Sequence, residues 1–209
     1  MVNNPRGRPV GGSDAQQRLI AAAEELFIRN GFKGTTVRGI AERAGVDHAL
    51  VNYYFGGKEG LFTAVMNLLA SPGELVEHAT RAGPQHLAPR LLNALLTTWD
   101  SPSVQEHSRR LLSTMQTDSA TQEAFRGYLE HQVIAQIADT LTGRDATARA
   151  SAAAAVIAGL FLTRYVARIE PIAGMTRSEV VGYLEPALHA CLAPRHRRPA
   201  APPRPPIAP

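Results

Sequence analysis

The chain has 209 residues, 44% of them hydrophobic, one cysteine and a formal net charge of +4. That length suits one or two compact domains with a real core; the lone Cys191 excludes an internal disulfide and any Cys-x-x-Cys zinc site. The opening MVNNPRGRPVGG has no apolar core of signal-peptide type, and the longest apolar run, 152–162, is about half of the ~20 residues a membrane span needs, so a cytoplasmic protein with no membrane partner is expected.

Alanine and leucine dominate and no segment alternates for long, which predicts an all-α fold. Charge is uneven. Residues 1–60 carry eight basic and six acidic groups, residues 61–193 carry ten and twelve, and the tail from Pro194 carries four and none. The basic excess therefore sits in the two arms.

In chain order, residues 1–12 read as a flexible arm. Its Arg6-Gly7-Arg8-Pro9 has minor-groove chemistry: arginines are drawn into a narrow A·T-rich groove, and a glycine lets the backbone approach. The four residues resemble the core of an AT-hook; a basic terminus with no specific contact is the alternative. Ser13, with Gln16 three residues on, has the spacing of a capping box and opens the first helix. Leu19, Ala23, Leu26 and Phe27 form its buried stripe, Asn30-Gly31 stops it, and Phe32 returns to the core.

The stretch 36–58 is the most informative. Thr36 caps a helix whose Val37, Ile40, Ala41 and Ala44 recur at helical spacing. Gly45 supplies a left-handed break and Val46 the buried residue of the turn. Asp47 caps the next helix. Leu50, Val51 and Tyr54 pack backward, leaving His48, Ala49, Asn52 and Tyr53 outward. Two helices joined by a short glycine-containing turn form a helix-turn-helix, with the second helix suited to the major groove. Asn pairs with adenine, His donates to guanine and Ala touches a thymine methyl. Tyr53 suits a phosphate. Lys58, with the free N–H groups opening its helix, is an anion site.

Gly56-Gly57 ends the second helix. A longer helix follows through Leu61, Phe62, Val65, Met66 and Leu69, stopped by Ser71-Pro72-Gly73. A short helical segment, 74–82, precedes the break at Gly83-Pro84. Further helices are expected at 87–99, from the Ser103–Glu106 capping box to Gln116, from the Ser119–Gln122 capping box to Gly143, from an Asp145 cap to Ile169, and from the Thr176–Glu179 capping box to about Leu192. The proline-rich basic tail, 194–209, cannot build a core. The helix from Asp145 is apolar on every side between Ala152 and Leu162, with small residues at Ala154, Ala158 and Gly159. Such a helix is either central in a core or shared with a partner.

The sequence TTVRGIAERAGVDHALVNYYFGGKEGLF resembles the DNA-binding domain of the TetR family of bacterial transcriptional regulators. The Ala-Gly-Val turn, the paired tyrosines followed by Phe55, and the Lys-Glu that opens the next helix match in order, from about Ser13 to Met66. Asn52 departs from the aromatic common before the Tyr-Tyr-Phe segment. The resemblance implies a three-helix DNA-binding domain at 13–60, with its motif at about 37–56, and a helical ligand-binding and dimerisation domain at 61–193. It implies a homodimer on a near-palindromic double-stranded DNA operator, and a small effector that releases it. Arg38 then stands where relatives reach a base or phosphate, and Thr36 touches the backbone as well as capping its helix.

An effector cavity would draw on Trp99, Met115, Phe125, Tyr128, Leu129, Phe161 and Tyr165, with Arg164 able to orient an anionic group; plain core packing is the alternative for each. The scattered histidines show no metal spacing, no catalytic constellation stands out, and no cofactor or metal is expected. A ligand-independent activator or architectural protein is the other reading.

Overall fold

A computed structural model describes residues 12–69, 75, 79, 86–115 and 117–194. The expectations for Arg6 and Arg8, for most of the segment 70–85 and for the tail from 195 lie outside the described residues. Among those described, every regular element is helical.

Helix α1 (Gly12–Gly34) buries Leu19, Ala23, Leu26 and Phe27, each fully buried large side chain contributing about 1.5–3 kcal/mol. It is already helical at Gly12, so Ser13 lies inside the first turn rather than capping it. Gly31, at φ 71°, leaves the helical path as expected, and a short helical stretch continues beyond the kink to Gly34. The kink frees the Phe32 N–H, which donates to Asp118 Oδ2 at 2.9 Å and Thr121 Oγ1 at 2.8 Å, tying the first helix to the second half of the chain.

Helices α2 (Val37–Ala44) and α3 (Ala49–Phe55) form the helix-turn-helix. Thr36 Oγ1 accepts from Gly39 N at 3.0 Å. Gly45 adopts the left-handed conformation, φ 66° and ψ 39°, that a side chain would strain. Asp47 Oδ1 accepts from Ala49 N at 2.7 Å. Helix α4 (Lys58–Leu69) buries Leu61, Phe62, Val65 and Met66 in the same core. A Cβ at Gly60 would collide with the Phe55 carbonyl, so glycine there is what lets α4 cross directly against the end of α3. Phe27 meets Phe32 at 5.5 Å and Phe62 at 5.3 Å between ring centroids, locking α1 to α4.

Helix α5 (Leu87–Trp99) has the expected bounds. Helix α6 (Pro102–Met115) begins one residue before Ser103. Its capping box does not form, because Glu106 turns to Arg109 and Arg110 at 2.9 and 2.7 Å. Helix α7 (Ser119–Tyr128) is capped by Asp118, which accepts from Ala120 N and Thr121 N, rather than by Ser119. It passes into a π-helical turn, Leu129–Ile134, and then α8 (Ala135–Asp139), which ends short of Gly143.

Helix α9 (Ala146–Phe161) also widens into a π-helical turn, Leu162–Val166, ending before Ile169. Asp145 occupies its N-cap position, but without a side-chain capping bond, because its carboxylate takes Arg149 Nε at 3.1 Å. Helix α10 (Arg177–Leu192) opens on a complete Thr176–Glu179 capping box. Helices α5, α9 and α10 enclose a second core around Leu92, Leu96, Val180 and Leu188.

The continuous helix Ala146–Val166 has 21 residues and a mean hydropathy of 1.5, so by length and composition it could cross a membrane. The uninterrupted run 152–162 is shorter, because Ser151 and Thr163 bound it and Arg149 and Arg164 stand just beyond them. One face of this helix, Ala150, Ala153 and Leu160, is packed in the second core, beside the buried Arg149.

Candidate nucleic-acid interface and ligand cavity

The helix-turn-helix divides its residues cleanly. Ile40, Ala41, Ala44 and Val51 are buried; Val46, Leu50 and Tyr54 are half-buried. Thr36, Arg38, His48, Ala49, Asn52 and Tyr53 are exposed on the outer face, Tyr53 at 79%. Large aromatics are seldom left so open without a partner surface. Tyr53 rests edge-on against Tyr54 at 4.9 Å, which holds its ring while the hydroxyl stays in solvent.

Lys58, expected to form an anion site with the N–H groups opening its helix, also has partners within the chain. Its Nζ donates to the carbonyls of Phe32 at 2.8 Å and Thr35 at 3.0 Å, and lies 4.2 Å from the Phe32 ring centroid. Lysine therefore ties the start of α4 to the loop that carries Thr36. The sequence did not show this partner set, since Phe32 and Thr35 are a full domain turn away from residue 58. Behind the reading face, Arg18 Nη1 donates to the Ala44 carbonyl at 3.1 Å, and Arg43 pairs with Glu25 at 2.8 Å.

The second domain holds a cavity of about 360 Å³, within the ~300–1,000 Å³ usual for small-ligand sites. Trp99, Phe125, Tyr128, Leu129 and Phe161 line it as expected. Two expected residues do not. Arg164 Nη1 donates to the carbonyls of Ile172 at 2.6 Å and Met175 at 2.8 Å, since those groups close the turn before α10 and need a donor. Tyr165 points its hydroxyl to Asp100 at 2.8 Å, and burial, with that carboxylate's hydrogen bond second, pushes its phenol up to about 12. The side chain of Met115 lies outside the described residues.

Sequence reading missed the aliphatic walls, Leu91 and Leu95 of α5, Leu111 and Leu112 of α6, and Ala154 and Ile157 of α9. Their helical spacing marked them only as core. Met66 reaches the cavity from α4, and Tyr128 donates to Asn67 Oδ1 of the same helix at 3.3 Å. Burial raises the Tyr128 phenol well above its usual value, so it stays neutral. No cluster of three or more metal-ligating side chains occurs among the described residues.

Helix α9 leaves Ser151, Ala155, Ala158, Gly159 and Leu162 exposed along one stripe, and Tyr183 on α10 is 72% exposed. Small and apolar residues at that spacing form a flat face with no cover in a single chain.

Two family models match. One is described as bacterial regulatory proteins of the tetR family and spans residues 19–65; the other is a tetracyclin repressor-like C-terminal domain and spans residues 85–192. The chain is 32% identical over 98 residues to an HTH-type transcriptional repressor of Mycobacterium tuberculosis, covering 42% of this chain and 52% of that protein. It is 42% identical over 69 residues to the HTH-type transcriptional dual regulator CecR of Shigella flexneri, covering 33% and 30%. These matches thus span about half or less of each curated relative. Among solved structures, a TetR-family regulator from Streptomyces coelicolor is 29% identical, with a TM-score of 0.64 over 89% of this chain and 98% of that one.

Proposed function

Given that the chain belongs to the TetR family, we propose that it is a dimeric, sequence-specific DNA-binding transcriptional regulator, a cytoplasmic repressor that a small molecule releases from its operator. The observation that carries this reading is the two-sided character of α3: Val51 is buried in the core shared with α1, α2 and α4, while Ala49, Asn52 and Tyr53, like Arg38 on α2, are exposed. Arg38 offers two hydrogen bonds to a guanine edge, worth ~1–3 kcal/mol of discrimination, and Asn52 the same to adenine. Thr36 and Tyr53 reach phosphates, which set register but carry no sequence information.

Pairing two copies across the exposed stripe of α9 and Tyr183 of α10 would present two reading helices. Their half-sites would lie ~34–36 Å apart or a multiple of that. Helix α4 supports a link from ligand to DNA. Its first residue holds the Phe32 and Thr35 carbonyls beside Thr36, and Met66 and Asn67 touch the cavity wall. A ligand preferring one setting of α4 shifts the population toward it. The cavity favours this reading over a ligand-independent activator or architectural protein, which would need no such space.

Selection of bound sequences from random duplex DNA, at stated salt, tests the proposal with wild type and Arg38→Ala in parallel. The expected result is a near-palindromic motif that Arg38→Ala blurs at one position per half-site. Enrichment of A·T-rich DNA alone overturns the sequence-specific reading.

A further inference from the structure

We propose that the cavity takes an uncharged, lipophilic ligand that has no charged anchor and finds only a few neutral polar partners, Ser108 among them. The effector role of this ligand rests on the regulator reading above; its chemical class rests on the wall alone. No Asp, Glu, Lys, Arg or His stands among the described residues that line the cavity. The two arginines on the cavity's long helix, one at each end, are engaged elsewhere. Arg164 holds the Ile172 and Met175 carbonyls, and the buried Arg149 holds the Leu192 carbonyl at 2.7 Å and Asp145. Moving either into the cavity would strip backbone carbonyls of their donors.

The polar atoms on the wall are few and neutral. Ser108 Oγ donates its proton to the Val104 carbonyl at 2.7 Å, which leaves it only accepting capacity toward a ligand. Trp99 and Phe161, packed edge-on at 4.8 Å, present aromatic surface. A carboxylate or ammonium placed there would lose its hydration with no opposite charge to replace it. An apolar body gains burial against the aliphatic and aromatic wall.

A separate observation marks this space as a site rather than a packing fault. Both π-helical stretches of the described chain, Leu129–Ile134 and Leu162–Val166, abut it, through Leu129 and Val133 on one side and Leu162 on the other. Such widened turns concentrate at functional sites, because they give up regular hydrogen bonding to reshape a wall.

A matched pair of fluorescent probes tests the assignment: neutral phenylnaphthylamine, and anilinonaphthalene sulfonate, which carries the same ring system with a negative charge. Titrated into the full chain without DNA, the neutral probe is expected to saturate, and the sulfonate to bind at least tenfold more weakly. Ala154→Phe, which grows into the cavity, is expected to weaken the neutral probe at least tenfold while the chain keeps a cooperative thermal transition. Ile157→Phe serves if Ala154→Phe fails to fold. Equal or tighter binding of the sulfonate overturns the proposal, as does neutral-probe binding that a folded filler variant leaves unchanged. A chain that binds the neutral probe in the cavity yet selects no DNA sequence keeps the ligand class and loses the regulator reading. One that selects a palindrome but prefers the sulfonate does the reverse.

Discussion

Helices α3 and α9 are each left uncovered on one side, in opposite senses. Helix α3 buries Val51 and exposes Asn52 and Tyr53, a polar surface that water satisfies until a polar partner replaces it. Helix α9 buries Ala150, Ala153 and Leu160 and exposes Ala155, Ala158 and Leu162, an apolar surface that water does not satisfy. The contrast separates two kinds of partner. A polar face with hydrogen-bonding side chains suits base edges and phosphates. A face of small apolar residues suits another packed helix, where association rests on buried area and close approach.

Breaking the apolar side should have the largest effect. Ala155→Arg sets a charge on the exposed stripe of α9 at a residue that does not line the cavity. An unpaired charge trapped in an interface costs about 3–5 kcal/mol, so sedimentation velocity should show monomers where wild type is dimeric. An unchanged dimer would place the interface elsewhere.

The polar side is broken from behind by Gly60→Ala. The new Cβ meets the Phe55 carbonyl, and either α3 or α4 must move, at a cost of about 2–3 kcal/mol or about 5–10 °C in Tm. The same variant should bind operator more weakly even below its melting temperature. Full binding would mean that the junction relaxes without tilting α3.

Substitutions on the reading face should be smaller and of two kinds. Asn52→Ala should lose ~1–3 kcal/mol at one base position per half-site. Tyr53→Phe should lose about 0.5–1.5 kcal/mol on every sequence alike. Competition binding against single-base operator variants separates them, and an equal effect of both on all sequences would remove Asn52 from base reading.

The smallest effect concerns the joint between the two regions. Hydrogen bonds, from the Thr121 hydroxyl first and then from the Ala120, Phe32 and Thr121 amides, hold the Asp118 carboxyl below its ordinary value. A lowered folded pKa contributes stability above the unfolded value of ~3.9, and that stability is lost as pH falls through the lower folded value. Asp118→Asn, which resembles the protonated acid, should therefore lower Tm slightly at neutral pH, converge with wild type in acid, and so flatten the acid side of a Tm-against-pH curve. An acid limb identical to wild type would show that the carboxylate does not couple the two regions.

Local signals in the chain were enough for the reading head. Thr36, Gly45 and Asp47 act through neighbours two to five residues away, and the burial of Ile40, Ala44 and Val51 follows from helical period. The same locality made Thr176–Glu179 legible as a cap. It misled at Ser103 and Ser119, where Asp118 and the arginines beside Glu106 offered stronger partners than a serine hydroxyl. The rest depended on distance along the chain. Lys58 binds carbonyls of residues 32 and 35, Phe32 donates to residues 118 and 121, and Arg164 turns from the cavity to close the turn before α10. The cavity itself is a space lined by residues of α4 through α9. Sequence by itself determined which faces are apolar; only the tertiary structure decided which apolar faces meet and which leave room, because period records a side chain's direction and not what stands opposite it.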